Sequence, residues 1–237
     1  MSSLLRNFLL AACLFVSGLL HADTVAHYYF GDGNLLDDSS GNSHTLAQTG
    51  TVSVNADGYS AAISLNSYLK VSSLNPGSSY TVSLWFRTAD ATPAGNTSLC
   101  SSSDDTTLSD TSNDWQLEYF GETQLRGDNG TVADGGGSFQ FVENTWYHVV
   151  VWTDGTDVKL YATQDGGSLT QIGSTLTSVF GMQDFRIGVN RSQNRSWAGD
   201  YANVKVYDSA LAVSELGALL SEGKDAAPTG PAPVNEI

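Results

Sequence analysis

Apolar residues recur at every second position over short stretches of this chain, separated by Gly, Asp, Asn and Ser, and a period of two is the pattern of β-strands. The clearest case is NTWYHVVVWTDGTDVKLYAT at 144–163, which predicts two strands, 146–153 and 157–162, joined at Asp154 and Gly155. An Asp-Gly pair between β-rich runs favours a tight hairpin, because both residues tolerate positive φ. In the second strand Val158, Leu160 and Ala162 face one way and Asp157, Lys159 and Tyr161 the other. The first is apolar on both faces through Val149, Val150, Val151 and Trp152, as a central strand covered on both sides is.

Residues 79–88 repeat the alternation, with Tyr80, Val82, Leu84 and Phe86 opposite Thr81, Ser83, Trp85 and Arg87. At 115–120, Trp115, Leu117 and Tyr119 alternate with Gln116, Glu118 and Phe120. Shorter strands are expected at 25–30, 61–65, 68–72, 125–126, 139–142, 169–176, 185–189 and 202–207, whereas 89–113 reads as a Ser/Thr/Asp-rich excursion around a short apolar 98–100. Gly135, Gly136 and Gly137 read as a flexible turn. A single helix is predicted at 213–220, with Val213, Leu216, Leu219 and Leu220 on one side and Gly223 as its stop. Short strands at close intervals predict an all-β fold, a two-sheet antiparallel β-sandwich (jelly roll) with one short C-terminal helix.

Composition agrees: charged residues are 15% of the 237, and 24 Gly, 10 Tyr and 5 Trp suit strands and turns in one sandwich domain. The 25 acidic residues outweigh 10 basic ones, for a net charge of −15. That balance argues against nucleic acid or an anionic membrane surface as partner, since phosphate binding needs clustered Lys and Arg. It fits bound cations, high salt or plain solubility.

The first residues carry Arg6, and 8–20 are apolar apart from Ser17 and Gly18. Such a run is too short to span a bilayer and reads as a secretory signal peptide, 1–22, with cleavage after Ala22 and a domain over 23–223. The expectation is a secreted, periplasmic or cell-surface protein without membrane insertion. Leu10, Ala11, Ala12 and Cys13 offer a lipid anchor instead, disfavoured because the apolar run continues past Cys13. Cys100 would then be the only cysteine, with no intramolecular partner, and reads as a buried small hydrophobe. The Pro/Ala-rich 224–237 cannot bury enough apolar area to offset chain entropy and is expected to be a disordered tail.

Candidate chemistry sits in three places. Residues 30–45 gather Asp32, Asn34, Asp37, Asp38 and Asn42, hard oxygen donors suited to calcium but also ordinary turn formers, at a spacing unlike an EF-hand. The loop NRSQNRSWAGDY at 190–201 combines Arg191, Gln193, Asn194 and Arg195 with Trp197 and Tyr201, the mixture of planar polar groups and aromatic faces that saccharide recognition uses. Trp115, Glu118 and Arg126 form a second candidate surface. Core packing of both tryptophans and simple solvation of the arginines are the plain alternatives. Catalysis lacks its residues: no strand carries an i, i+2 pair of acids, no nucleophile elbow appears, and His27, His44 and His148 stand singly.

Four segments, HYYFGDGNLLDDSSGNSH, YTVSLWFRT, NTWYHVVVWTDGTDVKLYAT, and FRIGVN followed by WAGDYANVKVYDSALAVSELGALL, stand in an order that resembles a LamG-like jelly roll of the concanavalin A-like lectin/glucanase superfamily. The resemblance spans about 26–220. It implies a non-catalytic secreted module, with carbohydrate recognition of the lectin kind first, an adhesion or structural module binding extracellular protein second, and a polysaccharide-degrading enzyme third. The Glu-x-Asp-x-Glu run of laminarinase-like members and the Arg-x-Glu-x-Arg strand of alginate lyases are absent. The resemblance also implies calcium between the first loop, at Asp32 and Asp38, and the strand before the final helix. There the chain departs from the pattern, with Ala202 at the usual acidic position, so that calcium is expected only if Asp200 or Asn203 substitutes.

Overall fold

The computed structural model describes residues 22–31, 33–93, 95–103, 114–129 and 133–228, with 133–135 as backbone only. The expected signal segment with Cys13, the metal candidate Asp32 and most of the expected tail lie outside the described residues.

Two antiparallel sheets face each other across one apolar core. The first runs in the order β13 (Thr170–Gln171), β12 (Asp157–Gln164), β11 (Tyr147–Thr153), β6 (Tyr80–Arg87), β16 (Gly199–Tyr207), β4 (Ser60–Ile63) and β3 (Val52–Val54); β1 (Thr24–Tyr28) pairs with β16, and β14 (Leu176–Thr177) with β12. The second runs β10 (Ala133–Ser138), β9 (Gln124–Asp128), β8 (Trp115–Phe120), β7 (Thr97–Ser103), β15 (Asp184–Ile187), β5 (Tyr68–Val71) and β2 (Ala47–Thr49). Strands adjacent in sequence often lie in different sheets, which is the jelly-roll signature.

The predicted hairpin is β11 and β12. Gly155 turns it at φ 93°, and Asp154 Oδ1 accepts the N–H of Thr156 at 2.9 Å and of Asp157 at 2.8 Å. Its apolar first strand is explained by two covers. Val149 and Val151 enter the main core, while Val150 on the other face packs beneath α1 (Val213–Glu222) with Leu216 and Leu219. Trp152 pins the same cover by donating its indole N–H to the Leu211 carbonyl at 2.9 Å. The helix starts where Glu215 accepts the Ala212 N–H and stops at Gly223, φ 86°.

Three expectations are corrected. Gly136 and Gly137 lie in β10, because a Cβ at Gly136 would meet the Leu125 carbonyl oxygen at 2.2 Å and one at Gly137 would meet Gly173 Cα at 2.9 Å. Backbones pass too closely there for any side chain, so the glycines are packing residues and no turn. The expected strand at 169–176 is only β13 and β14. Residues 139–142 form no strand; Phe141 is buried edge-on to Phe86, Tyr119 and Tyr147.

Candidate functional site

A sandwich has two outer faces, and here they differ in kind. That of the first sheet is closed by α1, over Trp85, Trp146 and Val150. A cavity of about 540 Å³ beside the helix touches His27, Lys205 and Glu222, but these groups are spent on one another and on Asn203: His27 Nε2 meets Asn203 Oδ1 at 2.7 Å and Lys205 pairs with Glu222.

The outer face of the second sheet is polar. In β8 the odd residues Trp115, Leu117 and Tyr119 enter the core, so Gln116, Glu118 and Phe120 point outward. Antiparallel pairing then aligns one row across five strands, Lys70–Arg186–Ser101–Gln116–Asp128, and beside it a second, Ser98–Glu118–Arg126. Cross-strand neighbours in such rows are within contact range.

The charges of this face pair among themselves. Lys70 Nζ lies 2.7 Å from Asp184, which shares the face with Arg186. Arg126 donates to Glu118 at 2.8 Å, and Arg195, arriving from the loop before β16, donates to the same carboxylate at 3.1 Å. Arg191 lies 3.8 Å from Asp128 and donates to its carbonyl at 3.1 Å. Arg186 is different: it is fully buried, none of its three guanidinium nitrogens makes a hydrogen bond, and Asp184 lies 3.7 Å away. Burial lowers its pKa from the ordinary arginine value, with Asp184 and Asp114 opposing.

At one end of the face the ring of Phe120, 36% exposed, lies under the Arg126 guanidinium, 3.6 Å from ring centroid to Cζ. At the rim, the loop carrying Arg195 borders a groove of about 760 Å³ lined by Leu65, Asn66, Asp90, Asn96, Asn194 and Arg195. The loop is tied by Asn190, whose Oδ1 accepts the N–H of Asn194 at 2.9 Å and of Arg195 at 3.0 Å. Tyr68 donates its hydroxyl to Gln193.

The two surfaces expected from sequence therefore meet, joined at Glu118. Arg126, Glu118, Arg191, Gln193, Asn194 and Arg195 come together, while the three aromatics chosen with them do not. Trp115 is turned inward by strand alternation and stacks on Phe180 at 5.3 Å. Trp197 is buried against Tyr119 and Phe86, at 5.0 and 4.7 Å, with its indole N–H on the Asp90 carbonyl at 3.2 Å. Tyr201 is buried and donates to the Trp197 carbonyl at 3.0 Å. Sequence reasoning missed Phe120, Lys70, Gln116 and Arg186; the parity of Phe120 with Glu118 was the available signal for the first.

Of the metal candidates, Asp32 lies outside the described residues and the other three are engaged with protein partners. Asp38 accepts the N–H groups of His27, Ser40 and His44 at 2.9, 2.9 and 3.0 Å. Burial opposes its charge, but these bonds outweigh it and hold the carboxyl below the usual range. Asp200 is bound by Arg87 at 2.7 Å and by Asn55 at 2.7 Å. Asn203 gives its oxygen to His27 and its N–H to the Gly223 carbonyl. Among the described residues no group of three or more His, Cys, Asp or Glu is placed to hold a metal ion. Nor is any described helix long and apolar enough to cross a membrane.

A family model for the concanavalin A-like lectin/glucanases superfamily matches residues 57–217. No curated protein sequence matches the chain. Among solved structures, it is similar to domain 4 of AbnA, a GH43 extracellular arabinanase from Geobacillus stearothermophilus, in complex with arabinotriose: TM-score 0.65, 23% identity, covering 84% of this chain and 98% of that one. It is also similar to the binding domain of botulinum neurotoxin DC, solved with SialylT (TM-score 0.60, 13% identity) and with rat synaptotagmin II (0.61, 12%), covering 84% of this chain in each case. The chain spans about half of those toxin chains, at 51% of their length.

Proposed function

We propose, from the premise that the chain belongs to the concanavalin A-like lectin/glucanases superfamily, that it is a non-catalytic module that binds carbohydrate on the outer face of its second sheet. The observation that carries this reading is the juxtaposition of an exposed aromatic, Phe120, with Arg126, Glu118 and the half-exposed Arg195 at one end of that face. An aromatic ring offers a flat apolar surface to the C–H side of a sugar, and planar charged groups fix hydroxyls by paired hydrogen bonds. The groove along Asn66, Asp90, Asn96 and Asn194 extends the same polar surface past Arg195. The solved complex of the AbnA domain with arabinotriose, a domain matched over 98% of its length, supports a binding role. The apolar N-terminal run supports export to where polysaccharides are met.

The test is binding of the purified chain to a panel of neutral and acidic polysaccharides by affinity electrophoresis, beside Phe120→Ala. Retardation by at least one polysaccharide, weakened in the variant, is expected. No interaction with any of them, or reducing ends released from one, would overturn the reading.

A further inference from the structure

We infer that the ligand of this face is an anionic saccharide, one that carries carboxylate or sulfate-ester groups. The inference rests on the carbohydrate reading above and names its substrate class. Five of the chain's ten Lys and Arg residues, Lys70, Arg126, Arg186, Arg191 and Arg195, collect here. Among the described residues the carboxylates with them are Asp114, Glu118, Asp128 and Asp184, so described cations outnumber described acids there by one, on a chain whose net charge is −15. An acidic surface that served only solubility would scatter its few cations to neutralise its many acids. This one gathers half of them on the outer face that lies away from α1.

Arg186 is the second observation. A buried guanidinium normally spends its five N–H donors on acceptors, and leaving them unmet is costly. Here they remain unspent within the row, between Lys70 and Ser101 of the adjacent strands. The partly exposed Lys70, Arg126 and Arg195 make the ligand contacts, and Arg186 adds charge from below that no internal hydrogen bond has consumed. A carboxylate or sulfate brings a negative charge and two or three acceptor oxygens in the fork geometry that arginine fits, neither of which a neutral sugar offers.

Affinity electrophoresis of the full chain separates the possibilities with five probes: alginate and polygalacturonate for carboxylates, dextran sulfate for sulfate esters, and laminarin and dextran as neutral controls. Retardation by at least one anionic probe is expected, lost as salt rises from about 50 to about 500 mM, where charge contacts are screened. Lys70→Gln and Arg126→Gln should each weaken it roughly tenfold, the loss of one charged hydrogen bond. Arg186→Gln should do the same with its thermal midpoint measured in parallel, so that unfolding is not mistaken for lost affinity. Binding of neutral probes as tight as anionic ones, or anionic binding indifferent to salt and to Lys70→Gln, overturns the inference while leaving carbohydrate binding intact. No binding to any probe overturns the carbohydrate reading itself.

Discussion

Glu118 holds Arg126 and Arg195 on one carboxylate: Arg126 Nε donates to Oε2 at 2.8 Å and Arg195 Nη1 to Oε1 at 3.1 Å. The acid is fully buried, Arg126 is 14% exposed and Arg195 48%, so one side chain ties a strand of the second sheet to a loop 77 residues away.

Glu118→Gln keeps the shape and removes the charge that both guanidiniums share. Breaking a fully buried pair costs several kcal/mol, but Arg195 recovers water, so a loss of roughly 1–3 kcal/mol is expected. That corresponds to a fall in thermal midpoint on the order of 5 °C for a domain of this size. An unchanged midpoint in a thermal melt would show that the pairing contributes nothing to stability.

Trp197 and Phe120 should separate cleanly. Trp197→Ala empties a buried site between Phe86, Tyr119 and Phe141 and should cost about 3–5 kcal/mol in chemical denaturation. Phe120→Ala removes a ring already in contact with water and should cost less than about 1 kcal/mol while weakening saccharide binding. The opposite ranking in a denaturant series would contradict the burial of Trp197.

Stability should fall as the solution is acidified from pH 6.5 towards 4. His27 and His148 are buried beside Lys205, and burial first, then that positive charge, push both down to about 4. A histidine whose folded pKa lies below its unfolded value is neutral in the fold and protonates on unfolding. Its stabilisation is therefore whole above about 6.5 and lost as pH falls through that window, by up to about 3 kcal/mol for each residue. The double variant His27→Gln/His148→Gln should flatten the slope between pH 6.5 and 4. The separate loss carried by Asp38, whose pKa is lowered, should persist at lower pH. A slope identical in the variant and the parent refutes the assignment.

Calcium should be inert towards this fold. Asp38, Asp200 and Asn203 already satisfy their oxygens within the protein, so millimolar calcium or a chelator should leave the thermal midpoint unchanged. Asp38→Ala, which strands three backbone N–H groups, should lower it whether or not calcium is present. A calcium-dependent rise of several degrees that Asp38→Ala abolishes would reverse this reading.

What was legible follows from the range of the forces involved. The β11–β12 hairpin, β6 and α1 declare themselves because alternation, an Asp-Gly turn and a glycine stop are local. β10 does not, since its glycines answer to the passing backbones of β9 and Gly173. β7 hides because its outer face is serine, small and polar, under neighbours that bury it. At the site, the polar half of the loop 190–201 could be chosen by residue type. Its partner could not, because the meeting of Arg195 with Glu118 is decided by which strands lie side by side. The aromatics were misjudged for a simpler reason: in a sandwich the largest rings are the best core fillers, and position along the strand, odd or even, decides more than chemistry.

The Asn190 knot has a consequence for how tightly anything is held. One amide side chain fixes the N–H groups of Asn194 and Arg195, donates to Asn194 Oδ1 at 2.9 Å, and leaves Arg195 anchored at its far end by Glu118. The loop has thus surrendered its conformational freedom before any ligand arrives. Ordering a long side chain on association costs about 0.5–1.5 kcal/mol, and here that cost falls on folding instead. Such a loop behaves as a rigid template: it selects by fit, and it discriminates against a sugar that asks it to bend.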